Sequence, residues 1–267
     1  MNFSTKRERP LILLTNDDGI ESPGIRAAAE AVLDLGDLII AAPAKQQSGM
    51  GRAFPRLEDT GIIETSCIRI NGQEIPAYGV HGSPALAVAH GILEIADRKP
   101  DLCISGINYG ENLGQTVTCS GTLGAAIEAA SQEIPALAVS VEADLSIQRL
   151  EQLPAARLDT SGEILRAAAL RILAKENTLQ ADIWNINVPA EADDPKDYRI
   201  TTQSRQNYFC FQKPEKRDFS RPFRLTSKIS IDMDTLERDS DIYAVYVDRK
   251  ISVTPLTIDM TAGCTGI

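Results

Sequence analysis

From Leu11 to Ser140 one pattern recurs along the chain: a short apolar run, a turn rich in Gly, Asn, Asp or Ser, then apolar residues at helical spacing. This punctuation predicts βαβ units and hence an α/β fold, a mostly parallel sheet flanked by helices. Leu11 to Thr15 reads as a buried strand. Ser22-Pro23 offers an N-cap and first helical residue, Ile25, Ala28, Ala29 and Val32 share one face, and Gly36 is positioned to end that helix. A second strand spans Leu38 to Ala42, a loop runs from Pro43 to about Pro55, and Asn71-Gly72 marks a hairpin turn inside Ile68 to Tyr78. The pattern then predicts a helix over Pro84 to Ala96, a strand over Asp101 to Ser105, a Gly/Asn loop reaching Ser120, a helix over Thr122 to Ala130 and a strand over Ala136 to Ser140. A helix over Ser161 to Lys175 and a strand over Ile183 to Val188 complete the layer.

Beyond Pro189 basic residues outnumber acidic ones as far as Lys228, and Tyr243 to Val247 and Ile251 to Thr254 alternate as exposed antiparallel strands would. Residues 1–190 therefore read as the α/β core and residues 191–267 as a β-rich extension. The extension has too few apolar residues for a core of its own, so it is expected to pack on the first layer or on another subunit.

Composition narrows the function. The 267 residues are 43% hydrophobic and 24% charged, which suits a folded globular protein and excludes disorder. With 27 Lys and Arg against 37 Asp and Glu, the formal charge of −10 speaks against a nucleic-acid surface. A small phosphorylated substrate remains open, provided a divalent cation or oriented backbone N–H groups supply local positive potential. The polar N-terminus and the short run Leu11 to Leu14 predict a cytoplasmic protein with no membrane span, and five scattered cysteines without a C-x-x-C pair predict buried or semi-buried free thiols.

Four segments carry candidate chemistry. Asn16-Asp17-Asp18-Gly19 follows the first strand, at the edge where parallel sheets bind ligands; two adjacent carboxylates there repel unless a cation neutralises them. One Asp capping the next helix with the other solvated accounts for the pair equally well. Gly106-Ile107-Asn108-Tyr109-Gly110-Glu111-Asn112-Leu113-Gly114 keeps backbone close to something, with amides able to face a metal or a phosphate, but its glycine spacing is neither the dinucleotide fingerprint nor a P-loop. Taken alone it is also what a tight, self-satisfied loop looks like. Ser120-Gly121-Thr122 opens a helix, as an anion site or an ordinary N-cap would, and Gln46-Gln47-Ser48-Gly49-Met50-Gly51 lies in a loop able to bring Ser48 over the same edge. With only His81 and His90, a histidine metal centre is excluded, and His90 reads as a packed core residue; Cys119 lacks the arginine of a cysteine phosphatase, and no G-x-S-x-G elbow exists.

The order of these segments resembles the SurE (survival protein E) nucleotidases. The matching pieces are Ile12-Leu-Leu-Thr-Asn-Asp-Asp-Gly-Ile20, Ala42-Pro43 with Gln47-Ser48-Gly49, Ser105-Gly-Ile-Asn-Tyr-Gly-Glu-Asn-Leu-Gly114, Ser120-Gly-Thr-Leu-Gly-Ala-Ala126, Glu128, Ile134-Pro135-Ala136, Asn185-Ile-Asn-Val-Pro189 and Ser252-Val-Thr-Pro-Leu256. The resemblance implies a Rossmann-like fold with a C-terminal β extension exchanged between subunits of a homodimer or homotetramer. It also implies a phosphomonoesterase that hydrolyses nucleoside 5′- and 3′-monophosphates with one Mg²⁺ or Mn²⁺ per subunit. Metal ligands would fall on Asp17, Asp18, Ser48 and Asn108, all hard oxygen donors. The phosphate-proximal positions would be Ser105, Gly106, Asn112, Ser120, Gly121 and Thr122, with Asp17, Asp18 and Asn112 catalytic. Attack by water is expected in preference to a covalent route through Asp17. The alternative from a different class is a phosphate- or nucleotide-binding module without turnover. Two positions depart from the family: Leu86 replaces a frequent acidic residue, and Cys119 replaces an aromatic or histidine.

Overall fold

The computed structural model of the chain describes residues 9–143, 158–176 and 179–261. The first apolar run is strand β1 (Leu11–Thr15), buried along its whole length. It is followed by α1 (Pro23–Val32), whose N-cap Ser22 accepts the Ile25 N–H and whose first residue is the proline. Next come β2 (Asp37–Pro43) and an antiparallel hairpin of β3 (Ile63–Ile70) and β4 (Gln73–Val80). Its turn is Asn71-Gly72, both at positive φ as a tight hairpin requires. Helix α2 (Pro84–His90) runs on into a π-helical turn over Gly91–Ile95, and then β5 (Leu102–Tyr109), α3 (Gly121–Ser131), β6 (Ala136–Val141), α4 (Asp159–Leu173) and β7 (Ile183–Val188) alternate as the sequence pattern requires.

Four more strands follow: β8 (Tyr198–Ile200), β9 (Phe209–Phe211), β10 (Ser227–Ile229) and β11 (Ile251–Leu256). Nine strands form one sheet in the order β3-β4-β2-β1-β5-β6-β7-β11-β8, parallel from β4 to β7, and β9 pairs with β10 in a separate ribbon. This is a Rossmann-like α/β architecture. Alternate strand residues feed two cores. Ile12, Leu14 and Ile104 pack with α1 and α4, while Leu13, Cys103 and Ala138 pack with the apolar faces of α2 and α3. Both faces being covered explains why the central strands are almost continuously apolar.

Several sequence expectations are corrected. Gly36 does not cap α1, which ends at Val32; it is a glycine because a Cβ there would lie 2.3 Å from the Pro10 carbonyl oxygen. Strand β5 does not stop at Ser105 but continues through a register shift to Tyr109, so Gly106 to Asn108 belong to the strand end. Tyr243–Val247 is a π-helical turn, not a strand: the Asp248 N–H donates to the Tyr243 carbonyl five residues back at 3.0 Å, closing the turn locally instead of pairing across a sheet. Ile251 to Thr254 is a strand but a buried one, hydrogen-bonded between β7 and β8 in the main sheet. His90 is half-buried and paired with Glu94 instead of packed in a core, and Cys67 and Cys119 are exposed thiols. No helix among the described residues is long and apolar enough to cross a membrane.

The spacing between α1 and the sheet is set by Gly24. A Cβ at this position would lie 1.9 Å from the Ile107 carbonyl oxygen, which belongs to the backbone and has no rotamer to yield. Gly24→Ala is therefore expected to lower the unfolding free energy by about 1–3 kcal/mol or more, read as a lower denaturant midpoint at unchanged m-value. An unchanged midpoint would mean that α1 does not approach β5 this closely.

Candidate active site

The turn after β1 is organised by Asn16, whose side-chain amide bonds Gly19 at both its N–H and its carbonyl and also reaches the Ser22 hydroxyl. With Asn16 turned into the protein, Asp17 and Asp18 project from the sheet edge. Asp17 is buried, and its Oδ1 accepts the Thr122 hydroxyl at 2.7 Å. The start of α3 can come this close because residue 121 is glycine: a Cβ there would lie 2.7 Å from Asp17 Cβ and 2.8 Å from its Oδ2. Asp18, half-buried, accepts the Tyr109 N–H at 3.3 Å and the Gln46 side-chain amide at 3.1 Å.

Burial dominates the electrostatics. Desolvation and then the charge of Asp18 push Asp17 up to about 7, against the opposing hydrogen bonds from Thr122. Asp18 is pushed up to about 6, again by burial. A helix N-terminus favours a carboxylate, but that stabilisation is smaller than the cost of removing the pair from water. The arrangement is therefore an acidic pocket with no cationic side chain paired to either carboxylate among the described residues.

Beside Asp17 lies a cavity of about 980 Å³ that also takes in Ser48, Asn108, Asn112, Ser120 and Cys119, while Asp18 is not part of its lining. Ser48 reaches it because its loop is docked on α3 rather than free. A Cβ on Gly124 would lie 2.0 Å from the Gly51 carbonyl oxygen, Gly51 N–H donates to the Cys119 carbonyl at 3.1 Å, and Arg52 Nε donates to the buried Glu128 carboxylate at 2.9 Å. Asn108 is buried with its amide nitrogen donating to the Gly110 carbonyl at 2.6 Å, which fixes the orientation of the amide. Ser120 serves as the N-cap of α3, accepting the Leu123 N–H at 3.1 Å. Ser105 and Gly106 lie deeper and do not line the cavity: Ser105 is fully buried, and Gly106 packs where a Cβ would meet the Val139 carbonyl oxygen at 2.4 Å. Leu86 packs against Gly82, away from the cavity.

Three residues to which the sequence motifs give no role, Asn185, Asn187 and Ser140, hold Asn112 in place. Its N–H donates to Asn187 Oδ1 at 2.7 Å, its carbonyl accepts the side-chain amides of Asn185 and Asn187 at 3.0 and 3.2 Å, and its own amide nitrogen donates to Ser140 Oγ at 2.9 Å. A signal was present: two asparagines two apart in an otherwise apolar buried strand must share one face and need a polar partner. Thr15 Oγ1, Ser105 Oγ and Asn185 Oδ1, buried with no hydrogen-bond partner among the described residues, occupy one register row across β1, β5, β6 and β7 beneath the site.

The donor set suits a hard divalent cation. No cluster of three or more His, Cys, Asp and Glu side chains occurs among the described residues, so a cation here would be held by two carboxylates and neutral hydroxyl or amide oxygens.

Known proteins share the sequence and the fold of this chain. The family model described as survival protein SurE matches residues 12–209. The "5'-nucleotidase SurE" of Methanothrix thermoacetophila is 40% identical over 256 residues, covering 94% of each chain. That of Thermococcus kodakarensis is 37% identical over 251 residues, covering 94% of this chain and 93% of its own. The crystal structure of the Sure protein from Aquifex aeolicus superposes with a TM-score of 0.70 at 28% identity, covering 94% of this chain and 95% of that one.

Because both carboxyls protonate more readily in the folded than in the unfolded chain, the native state binds more protons between about pH 4 and 7, and stability falls as pH rises through that window. Asp17→Asn, which keeps an acceptor for Thr122 and removes one charge, is expected to raise the melting temperature at pH 8 in chelator. Added Mg²⁺ or Mn²⁺ should stabilise the wild type and leave the variant unmoved; equal stabilisation of both would place the cation elsewhere. Gly124→Ala should displace the Ser48 loop and lower cation affinity at least tenfold, measured by titration of the same thermal shift.

Proposed function

The chain belongs to the SurE family, and we propose that it is a divalent-metal-dependent phosphomonoesterase that hydrolyses nucleoside 5′- and 3′-monophosphates to nucleoside and phosphate. The observation that carries this is the adjacent pair at the sheet edge, Asp17 buried and Asp18 half-buried with no ion pair to either among the described residues, with Asp17 in one cavity with Ser48, Asn108 and Asn112. Asp17, Asp18, Ser48 and Asn108 would hold one Mg²⁺ or Mn²⁺ per subunit, which when bound supplies Lewis-acid stabilisation of phosphoryl charge.

The side chains of the protein then have separate tasks. Thr122 holds the Asp17 carboxylate at the α3 start, and the Tyr109 N–H and Gln46 hold Asp18. Asn112, braced by Asn185, Asn187 and Ser140 and donating to the Thr122 hydroxyl at 3.4 Å, forms the cavity wall beside the start of α3 where the phosphoryl group would sit. Water adds to phosphorus as the bond from phosphorus to the ribose oxygen breaks, and the nucleoside leaves as an alcohol after taking up a proton. Direct attack by Asp17 is disfavoured because Oδ1 accepts Thr122 and Oδ2 lies against Gly121.

Outward apolar side chains on the region after residue 190, Phe219, Phe223, Leu225 and Met233, offer a surface for self-association as a homodimer or homotetramer. Light scattering should give a mass above that of one chain, lowered by Phe219→Asp with Phe223→Asp.

The activity test is phosphate release from a panel of nucleoside monophosphates. Release should stop with chelator, return with Mg²⁺ or Mn²⁺, and fall at least a thousandfold in Asp17→Asn. Binding of nucleotide without release under any of these ions would leave a non-catalytic nucleotide-binding module.

A further inference from the structure

The cavity extends well beyond the phosphoryl site. Its volume of about 980 Å³ is at the upper end of the roughly 300–1,000 Å³ of small-molecule sites, and its far wall comes from the β9–β10 ribbon, with Phe209, Phe211, Arg224 and Ser227. Phe209, Cys210 and Phe211 of β9 and Ser227, the cross-strand partner of Phe211, all line the cavity, so this end of the ribbon forms its wall.

The aromatic rings of the ribbon are differently employed. Phe209 sits edge-on to the buried Tyr208 at 4.7 Å between centroids. At the tip, Arg217 covers both Phe219 and Phe223 at 5.0 Å. Phe211 is 74% exposed and makes no ring or cation contact among the described residues. An unengaged ring on a cavity wall is an available stacking surface.

The ribbon is also held at a fixed distance from the metal and phosphate end. Its base is bridged to the site loop at Gly114 and Asn207, with Gln115 N–H donating to the Gln206 carbonyl at 3.0 Å and Gly114 N–H to the buried Asp241 carboxylate at 2.9 Å. Gly114 is at φ +55°, and a Cβ there would lie 2.3 Å from the Gln206 carbonyl oxygen, so only glycine permits this contact.

We propose that Phe211 and Arg224 form a nucleobase subsite at the mouth of the phosphomonoesterase cavity, so that the substrate is selected by a planar aromatic base as well as by its phosphate. The proposal rests on the nucleotidase function above and identifies what that site recognises at its far end. Phe211 supplies a face for the base, and Arg224 supplies a planar cation able to stack or to donate to ring nitrogens and carbonyls. Stacking accepts every base because every base has a π-face, so the subsite separates nucleotides from sugar phosphates more sharply than one base from another. A base–aromatic stack contributes roughly 5- to 150-fold in affinity.

The test compares adenosine 5′-monophosphate with ribose 5-phosphate as substrates of the wild type, Phe211→Ala and Phe211→Trp. Because Phe211 is exposed, all three should share one melting temperature. Phe211→Ala should raise KM for the nucleotide about tenfold at little-changed kcat and leave ribose 5-phosphate unaffected, and Phe211→Trp should restore the nucleotide KM. The new tryptophan also reports directly: titration of Phe211→Trp with adenosine, which lacks phosphate, should quench its fluorescence above the constant background of buried Trp184. An unchanged nucleotide KM in Phe211→Ala, an equal loss on both substrates, or no quenching by adenosine overturns the subsite. Quenching by adenosine in a protein that releases phosphate from neither substrate would keep the subsite and overturn the enzymatic function. Phosphate release indifferent to Phe211 would do the reverse.

Discussion

At the end of β1 the Asp17 carboxylate meets the first turn of α3 with no side chain between them, since Gly121 leaves only backbone on that side and Thr122 closes on Oδ1. Two further glycines repeat the device nearby. Gly124 lets the Ser48 loop rest on α3, and Gly106 lets the end of β5 approach β6. Missing Cβ atoms thus bring the end of β1, the start of α3 and the Ser48 loop together, above a tightly packed β5–β6 edge. Once they are there, Asp17 and Asp18 are too dry and too close to ionise freely, and the site attracts a small cation as a consequence of its packing.

The acidic balance of the chain has a local meaning in this setting. Among the residues lining the cavity Arg224 is the sole Lys or Arg, and it belongs to the ribbon, not to the sheet edge. An anion at the sheet edge therefore meets carboxylates, amides, hydroxyls and a helix start. Charge neutralisation there falls to the cation that the carboxylates recruit, while the arginine stays free for a different part of the ligand.

The α/β layer was legible in the sequence wherever burial imposed a period. Strand β1, α1 with its Ser22-Pro23 start, the Asn71-Gly72 hairpin and α4 all follow from local spacing and caps. The candidate site residues were visible as loops in order, and Asp17, Ser48, Asn108, Asn112 and Ser120 do share one cavity. What stayed hidden depends on contacts between distant segments. The continuation of β5 past Ser105, the Asn185 and Asn187 brace on Asn112, and the arrival of Phe211 over the site are all fixed by residues far away in sequence. The π-helical turn at Tyr243–Val247 misled because five residues, two of them tyrosine, are too few to separate a tight helical turn from an alternating strand.

Strand β11 lies between β7 and β8, antiparallel to the former and parallel to the latter. The order of these neighbours in space differs from their order in the chain, so one edge of β7 keeps unpaired N–H and C=O groups until residues 251–256 have been synthesised and threaded into place. During translation the nascent sheet thus carries an open flank for as long as more than sixty residues take to emerge, the interval between Val188 and Ile251. The late strand is the closing piece of the sheet, and a ribosome stalled before it would hold a chain whose site loops exist but whose β7, carrying Asn185 and Asn187, has an unshielded margin open to aggregation.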